Sequence, residues 1–104
     1  MGGGLSVKDK IDEVDDKLTG KVLSGGIPNN ETKTLDVIEG VGVIFIYRSS
    51  AGLFAMLTQY NTTFTTVAGQ LPNTITIGYA NNKITITNTV GYTIGYSIIN
   101  NPWA

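Results

Sequence analysis

Cysteine and histidine are both missing from this 104-residue chain, and charge is nearly missing from Ser49 onward, where Lys83 is the sole ionised side chain. Without thiols or imidazoles there are no disulfides, no thiol nucleophiles, no zinc sites of the common Cys/His kinds and no imidazole base working near neutral pH. No metal and no cofactor is expected. Long apolar runs are also lacking: none approaches the ~20 residues that span a bilayer, so no membrane insertion is expected. The N-terminus does not run from basic to apolar as a signal peptide does. Basic patches are absent too. With a formal net charge of -1 and Arg48 and Lys83 isolated, nothing offers a positive field to a phosphate backbone, which argues against nucleic acid as a partner.

What charge exists is gathered at the front. All eight acidic residues and all but one of the seven basic ones lie at or before Arg48. Carboxylate catalysis needs two acids facing one bond, yet the acids at Asp9, Asp12, Glu13, Asp15 and Asp16 interleave with apolar positions at helical spacing and read as a solvated helix face. Glu31, Asp36 and Glu39 sit on or beside one early strand. No catalytic residue is assigned, and an enzyme is not expected.

Three segments follow from the pattern. Residues 1–5, opening Met1-Gly2-Gly3-Gly4, read as a flexible scar from excising a piece of a longer protein. Residues 6–20 read as a helix with Ser6 as N-cap, Asp9 reaching back to it, and Gly20 as the stop. Within it Val7, Ile11, Val14 and Leu18 are spaced four, three, four, a heptad seam whose β-branched a and d positions favour three strands or more over two. So narrow an apolar stripe suits a seam between identical copies better than a globular core; the rival reading docks it on the chain's own sheet.

From 21 to 104 the period changes to that of strands. Lys21–Ser24 is a short strand, Gly25–Asn30 a loop, and Thr32–Glu39 an alternating strand. Val41–Arg48 is almost wholly apolar and reads as a central strand covered on both faces, one of them by a neighbouring subunit. Further strands cover Gly52–Tyr60 and Thr63–Ala68. Thr74–Tyr79 and Lys83–Thr87 form a hairpin with isoleucine inward and threonine outward, turning at Asn81 and Asn82. Tyr92–Ile99 is the last strand. Strands at this spacing specify an all-β, antiparallel β-sandwich, jelly-roll-like in style.

A three-strand-compatible coiled coil, a glycine joint and a Thr/Asn/Gly-rich β tip, most visibly Asn73–Ile77, Lys83–Asn88 and Tyr92–Ile99, resemble the C-terminal head of bacteriophage tail fibres and receptor-binding proteins. The resemblance implies a homotrimer on the phage tail of the virion, made in the host cytoplasm, that adheres to a bacterial surface polysaccharide or protein receptor. The His-x-His pattern of some fibre needles is not present. Glycan recognition needs aromatic faces beside amides, and the candidates are Tyr60, Tyr92 and Trp103 with Asn61 and Asn101. Asn100 is a further amide; Tyr79 and Tyr96 fall in phase with inward isoleucines, and Asn81 and Asn82 suit a turn. The alternative function is purely structural: a trimerisation and folding cap of a longer fibrous protein with no receptor site.

Overall fold

The computed structural model describes residues 21–100; the expected helix at 6–20 with its seam of Val7, Ile11, Val14 and Leu18, and the candidates Asn101 and Trp103, lie outside the described residues. The described chain is all-β and antiparallel. Its strands are β1 (Lys21–Ile27), β2 (Glu31–Asp36), β3 (Val41–Arg48), β4 (Leu53–Tyr60), β5 (Thr63–Gly69), β6 (Ile75–Ala80), β7 (Lys83–Asn88) and β8 (Ile94–Asn100), with one 3-10 turn at Ser49–Ala51.

They form a five-stranded sheet in the order β1-β8-β3-β4-β5 and a three-stranded sheet in the order β2-β7-β6. The first strand pairs with the last and the second with the seventh, so the outer pairs are nested, whereas β3, β4 and β5 follow one another as a meander. Both sheets feed one core: Ile27, Ile44, Ile46, Ala55, Leu57, Ile94, Tyr96 and Ile98 from the larger, Leu35, Ile75, Ile84 and Ile86 from the smaller. Two antiparallel sheets sharing one apolar core are compatible with a β-sandwich.

The alternation that builds this core is strict. Ile84, Ile86 and Asn88 point inward from β7, and Ile94, Tyr96, Ile98 and Asn100 from β8. The threonines between them face out; Thr32 and Thr87 share a hydroxyl hydrogen bond of 2.9 Å across β2 and β7. At the end of that row Asp36 and Lys83 stand opposite each other and are ion-paired.

Two boundaries differ from the sequence reading by three residues. β1 runs on through Gly25 and Gly26 to Ile27, because the ring of Tyr96 occupies the space over Gly25, where a Cβ would lie 2.8 Å from its hydroxyl. β2 stops at Asp36, since the chain turns there and the amide of Val37 donates to the Asn82 carbonyl at 2.9 Å. β3 buries Gly42, Ile44 and Ile46; among the described residues its other face is half-buried at Val41, Val43 and Phe45 and exposed at Tyr47.

The strand directions set two poles. Lys21 pairs with Asn100 at one pole, together with the Asn61-Thr62 and Asn81-Asn82 turns, so the chain enters and leaves there. The opposite pole gathers the 3-10 turn, the β1–β2 turn, the β5–β6 loop and the β7–β8 loop.

Candidate functional site

An open cleft of about 890 Å³ lies at that second pole. Its walls are the turn from Ala51 into Phe54, the stretch from Gly69 to Asn73, and Tyr92. No Asp, Glu, Lys, Arg or His is among these residues. The chemistry on offer is two aromatic rings, the aliphatic side chains of Leu53, Leu71 and Pro72, the amides of Gln70 and Asn73, and the backbone groups of a glycine-containing turn. That set suits a neutral polyhydroxylated ligand, whose rings present C–H faces beside hydroxyl edges.

Each wall is fixed by identifiable bonds. Gly52 takes a left-handed conformation (φ 68°) that closes the 3-10 turn, its amide donating to the Ser49 carbonyl at 3.1 Å. Gly69, also left-handed (φ 70°), ends β5 directly beside the Phe54 backbone, and a Cβ there would fall 2.1 Å from the Phe54 carbonyl oxygen. The Gln70 amide then donates to that same carbonyl at 2.9 Å, holding the β5–β6 loop against β4. Arg48 ties two walls together: its Nε donates to Ser50 Oγ at 2.8 Å and its Nη1 to the Thr93 carbonyl at 3.0 Å, next to Tyr92.

Tyr92 is positioned from below by a buried asparagine. Asn88 Nδ2 donates to the carbonyls of Tyr92 (2.8 Å) and Ile27 (2.9 Å), while its Oδ1 accepts from the Val90 amide (3.0 Å). Asn29 Oδ1 accepts from the Gly91 amide at 2.8 Å and pins the same loop from the β1–β2 turn. The loop bearing Tyr92 is thus held by hydrogen bonds on both flanks.

The sequence-derived candidates are divided between the poles. Tyr92 lines the cleft, but Tyr60 and Asn61 sit at the far pole where the chain enters. Asn61 there has a turn role, with φ 54° and its amide donating to the Gly40 carbonyl at 2.6 Å. Asn81 and Asn82 are likewise turn residues (φ 52° and 59°), and Tyr79 bonds through its hydroxyl to Asn82 Oδ1 at 2.8 Å. Tyr96 is core. Asn100 is not a surface amide: it is fully buried, with Oδ1 accepting from the amides of Ile38 and Glu39 and Nδ2 donating to the carbonyls of Glu39 and Val41.

Phe54, Gln70 and Asn73 were not among the sequence candidates. The signal for Phe54 was its parity, opposite to the buried Ala55, Leu57 and Gln59 on β4. Nothing in the sequence brings the 69–73 loop to Tyr92.

Among the described residues, no group of three or more His, Cys, Asp or Glu side chains is placed to hold a metal ion, and no helix is long and apolar enough to cross a membrane. No family model matches the chain, and no curated protein or solved structure does either.

Proposed function

We propose that this protein is a non-enzymatic adhesin head: the homotrimeric, jelly-roll-like tip of a phage tail fibre that binds a glycan on the bacterial surface through the cleft beside Tyr92. The observation that carries this reading is the cleft's position and chemistry together. It lies at the pole away from Lys21, where a stem of three wound helices would attach, and it is lined by aromatic, aliphatic and amide groups with no ionised side chain. Three such clefts on one particle convert weak single-site binding into firm attachment.

A neutral glycan is the ligand class that fits. Stacking and amide hydrogen bonding require no counter-charge, and a strongly anionic polymer finds no cation in the lining other than the neighbouring Arg48, whose guanidinium already bonds Ser50 and Thr93.

The test is a screen of the full chain against bacterial surface polysaccharides, followed by variants at each pole. Tyr92→Ala and Gln70→Ala are expected to weaken glycan binding by at least about tenfold, ~1.4 kcal/mol, with the melting curve showing that the fold persists. Asn61→Ala is expected to leave binding unchanged. Loss of binding in Asn61→Ala with Tyr92→Ala unaffected would move the site to the other pole. Absence of binding to any surface glycan or cell would favour the structural cap instead.

A further inference from the structure

The two sheets present very different outer faces. That of the three-stranded sheet carries Thr32, Thr34, Thr76, Thr85 and Thr87 with the Asp36–Lys83 pair, a surface of hydroxyls and charge. That of the five-stranded sheet has no ionised side chain at any strand position; by register it is made of Val22, Ile99, Val41, Val43, Phe45, Tyr47, Phe54, Met56 and Tyr60, among serines, glycines and threonines. Tyr60 is 70 % exposed, Phe54 46 % and Tyr47 39 %. At aromatic areas of about 150–250 Å², these three rings leave on the order of 300 Å² open along the face, Tyr47 and Phe54 towards the cleft and Tyr60 at the other end, with Val43, Phe45 and Met56 between them.

Flatness distinguishes this face further. The Tyr47 ring lies across Gly95, where a Cβ would come within 2.5 Å of it, and Phe54 leans over Gly69. Phe45 and Phe54 are in ring contact at 6.5 Å. The glycines let the aromatics fold down onto the sheet and leave a broad apolar platform.

We infer that this platform is the surface through which copies of the chain associate around their three-fold axis, with the same face of the neighbouring copies as its occupant. Two observations select that occupant. An uncharged face meets its own copy without setting like charges against each other, the condition self-association imposes. The chain's own first twenty residues carry six large apolar side chains, Met1, Leu5, Val7, Ile11, Val14 and Leu18, among eight charged ones, a poor match for an uncharged platform spanning four strands, β1, β8, β3 and β4. The three open rings supply roughly 300 Å² of the ~800 Å² per partner that stable interfaces bury, and Val22, 64 % exposed on β1, adds to it. Because Phe54 belongs both to the platform and to the cleft wall, each cleft then opens beside the subunit boundary.

The inference rests on the oligomeric part of the proposed function and not on its receptor. Solution mass by light scattering is measured for the full chain, for Val43→Lys on the platform, for Thr85→Lys on the threonine face, and for Leu18→Asp in the heptad. The expected result is a multimer for the unaltered chain and for Thr85→Lys, and a folded particle of lower mass for Val43→Lys. The chain has no cysteine, so Ser97→Cys, at the centre of the platform opposite Phe45, gives a single thiol. It should be shielded from a bulky maleimide in the multimer, while Thr85→Cys labels at once; this second readout holds even if Val43→Lys fails to fold.

A multimer that persists in Val43→Lys with Ser97→Cys freely labelled overturns the platform interface and leaves the heptad, tested by Leu18→Asp, as the assembly site. A monomeric parent chain overturns both the interface and the trimeric fibre reading. Failure of the glycan screen bears on neither mass nor labelling.

Discussion

Two fully buried asparagines, Asn88 and Asn100, end the inward rows of β7 and β8. Each sits where a loop crosses the end of a sheet and supplies side-chain partners to backbone groups that have left the ladders, so buried polar groups are satisfied. Asn88→Leu would leave two carbonyls and the Val90 amide short of partners beneath Tyr92. The expected cost is about 3 kcal/mol, read as a fall in Tm of roughly 12–24 °C. A drop below ~1 kcal/mol would mean these bonds are easily replaced. Parity made both residues legible, since Ile84, Ile86, Asn88 and Ile94, Tyr96, Ile98, Asn100 are unbroken alternations. An asparagine in that phase is nonetheless easily read as a surface amide, because its loop partners lie far away in sequence. The Asp36–Lys83 pair is a residue-scale effect of another kind. The Lys83 ammonium, first by its hydrogen bond and then by its charge, holds the exposed Asp36 carboxyl below its ordinary pKa of 3.8. A carboxyl lowered in the folded state contributes stability above its unfolded pKa and loses it as pH falls through the folded value. Stability from this pair should therefore be flat from pH 7 to 5 and decline below about pH 4. In Lys83→Met that part of the acid dependence should vanish from thermal melts taken across the range.

At the scale of elements, turns were the most legible feature where asparagine made them. Asn30, Asn61, Asn81 and Asn82 all take the left-handed conformation, which asparagine tolerates better than most residues. The β6–β7 hairpin follows directly from its Ile/Thr alternation and that turn. Glycine was harder to read, because it serves opposite ends. Gly25 permits β1 to continue under a tyrosine ring, whereas Gly69 ends β5 beyond an irregularity in its pairing with β4. Gly69→Ala meets both a left-handed φ and the Phe54 carbonyl, so about 2–3 kcal/mol of stability should be lost in a denaturant titration, with weaker ligand binding as the cleft wall shifts. A neutral outcome would mean the β5–β6 loop adjusts without cost. The long apolar run of β3 was legible as a central strand. Its second face is the platform, half-buried at Val41, Val43 and Phe45 and exposed at Tyr47 among the described residues.

For the whole molecule, the all-β antiparallel class and the inward rows were present in the sequence, and the grouping of strands into five and three was not. Strand order depends on which pairs meet across long separations, and β1 with β8 is the extreme case. That same distance hid the cleft, whose walls come from residues 51–54, 69–73 and 92. It also explains why Tyr60 and Tyr92, similar in sequence setting, stand at opposite poles. The nested pair has a mechanical consequence. A pull entering at Lys21 and resisted by something held in the cleft runs along the strands, so the β1–β8 ladder, seven residue pairs from Lys21–Asn100 to Ile27–Ile94, is loaded in shear. Its hydrogen bonds then share the force side by side instead of opening one after another, and the strand nearest the tether is fastened where tension would first reach it.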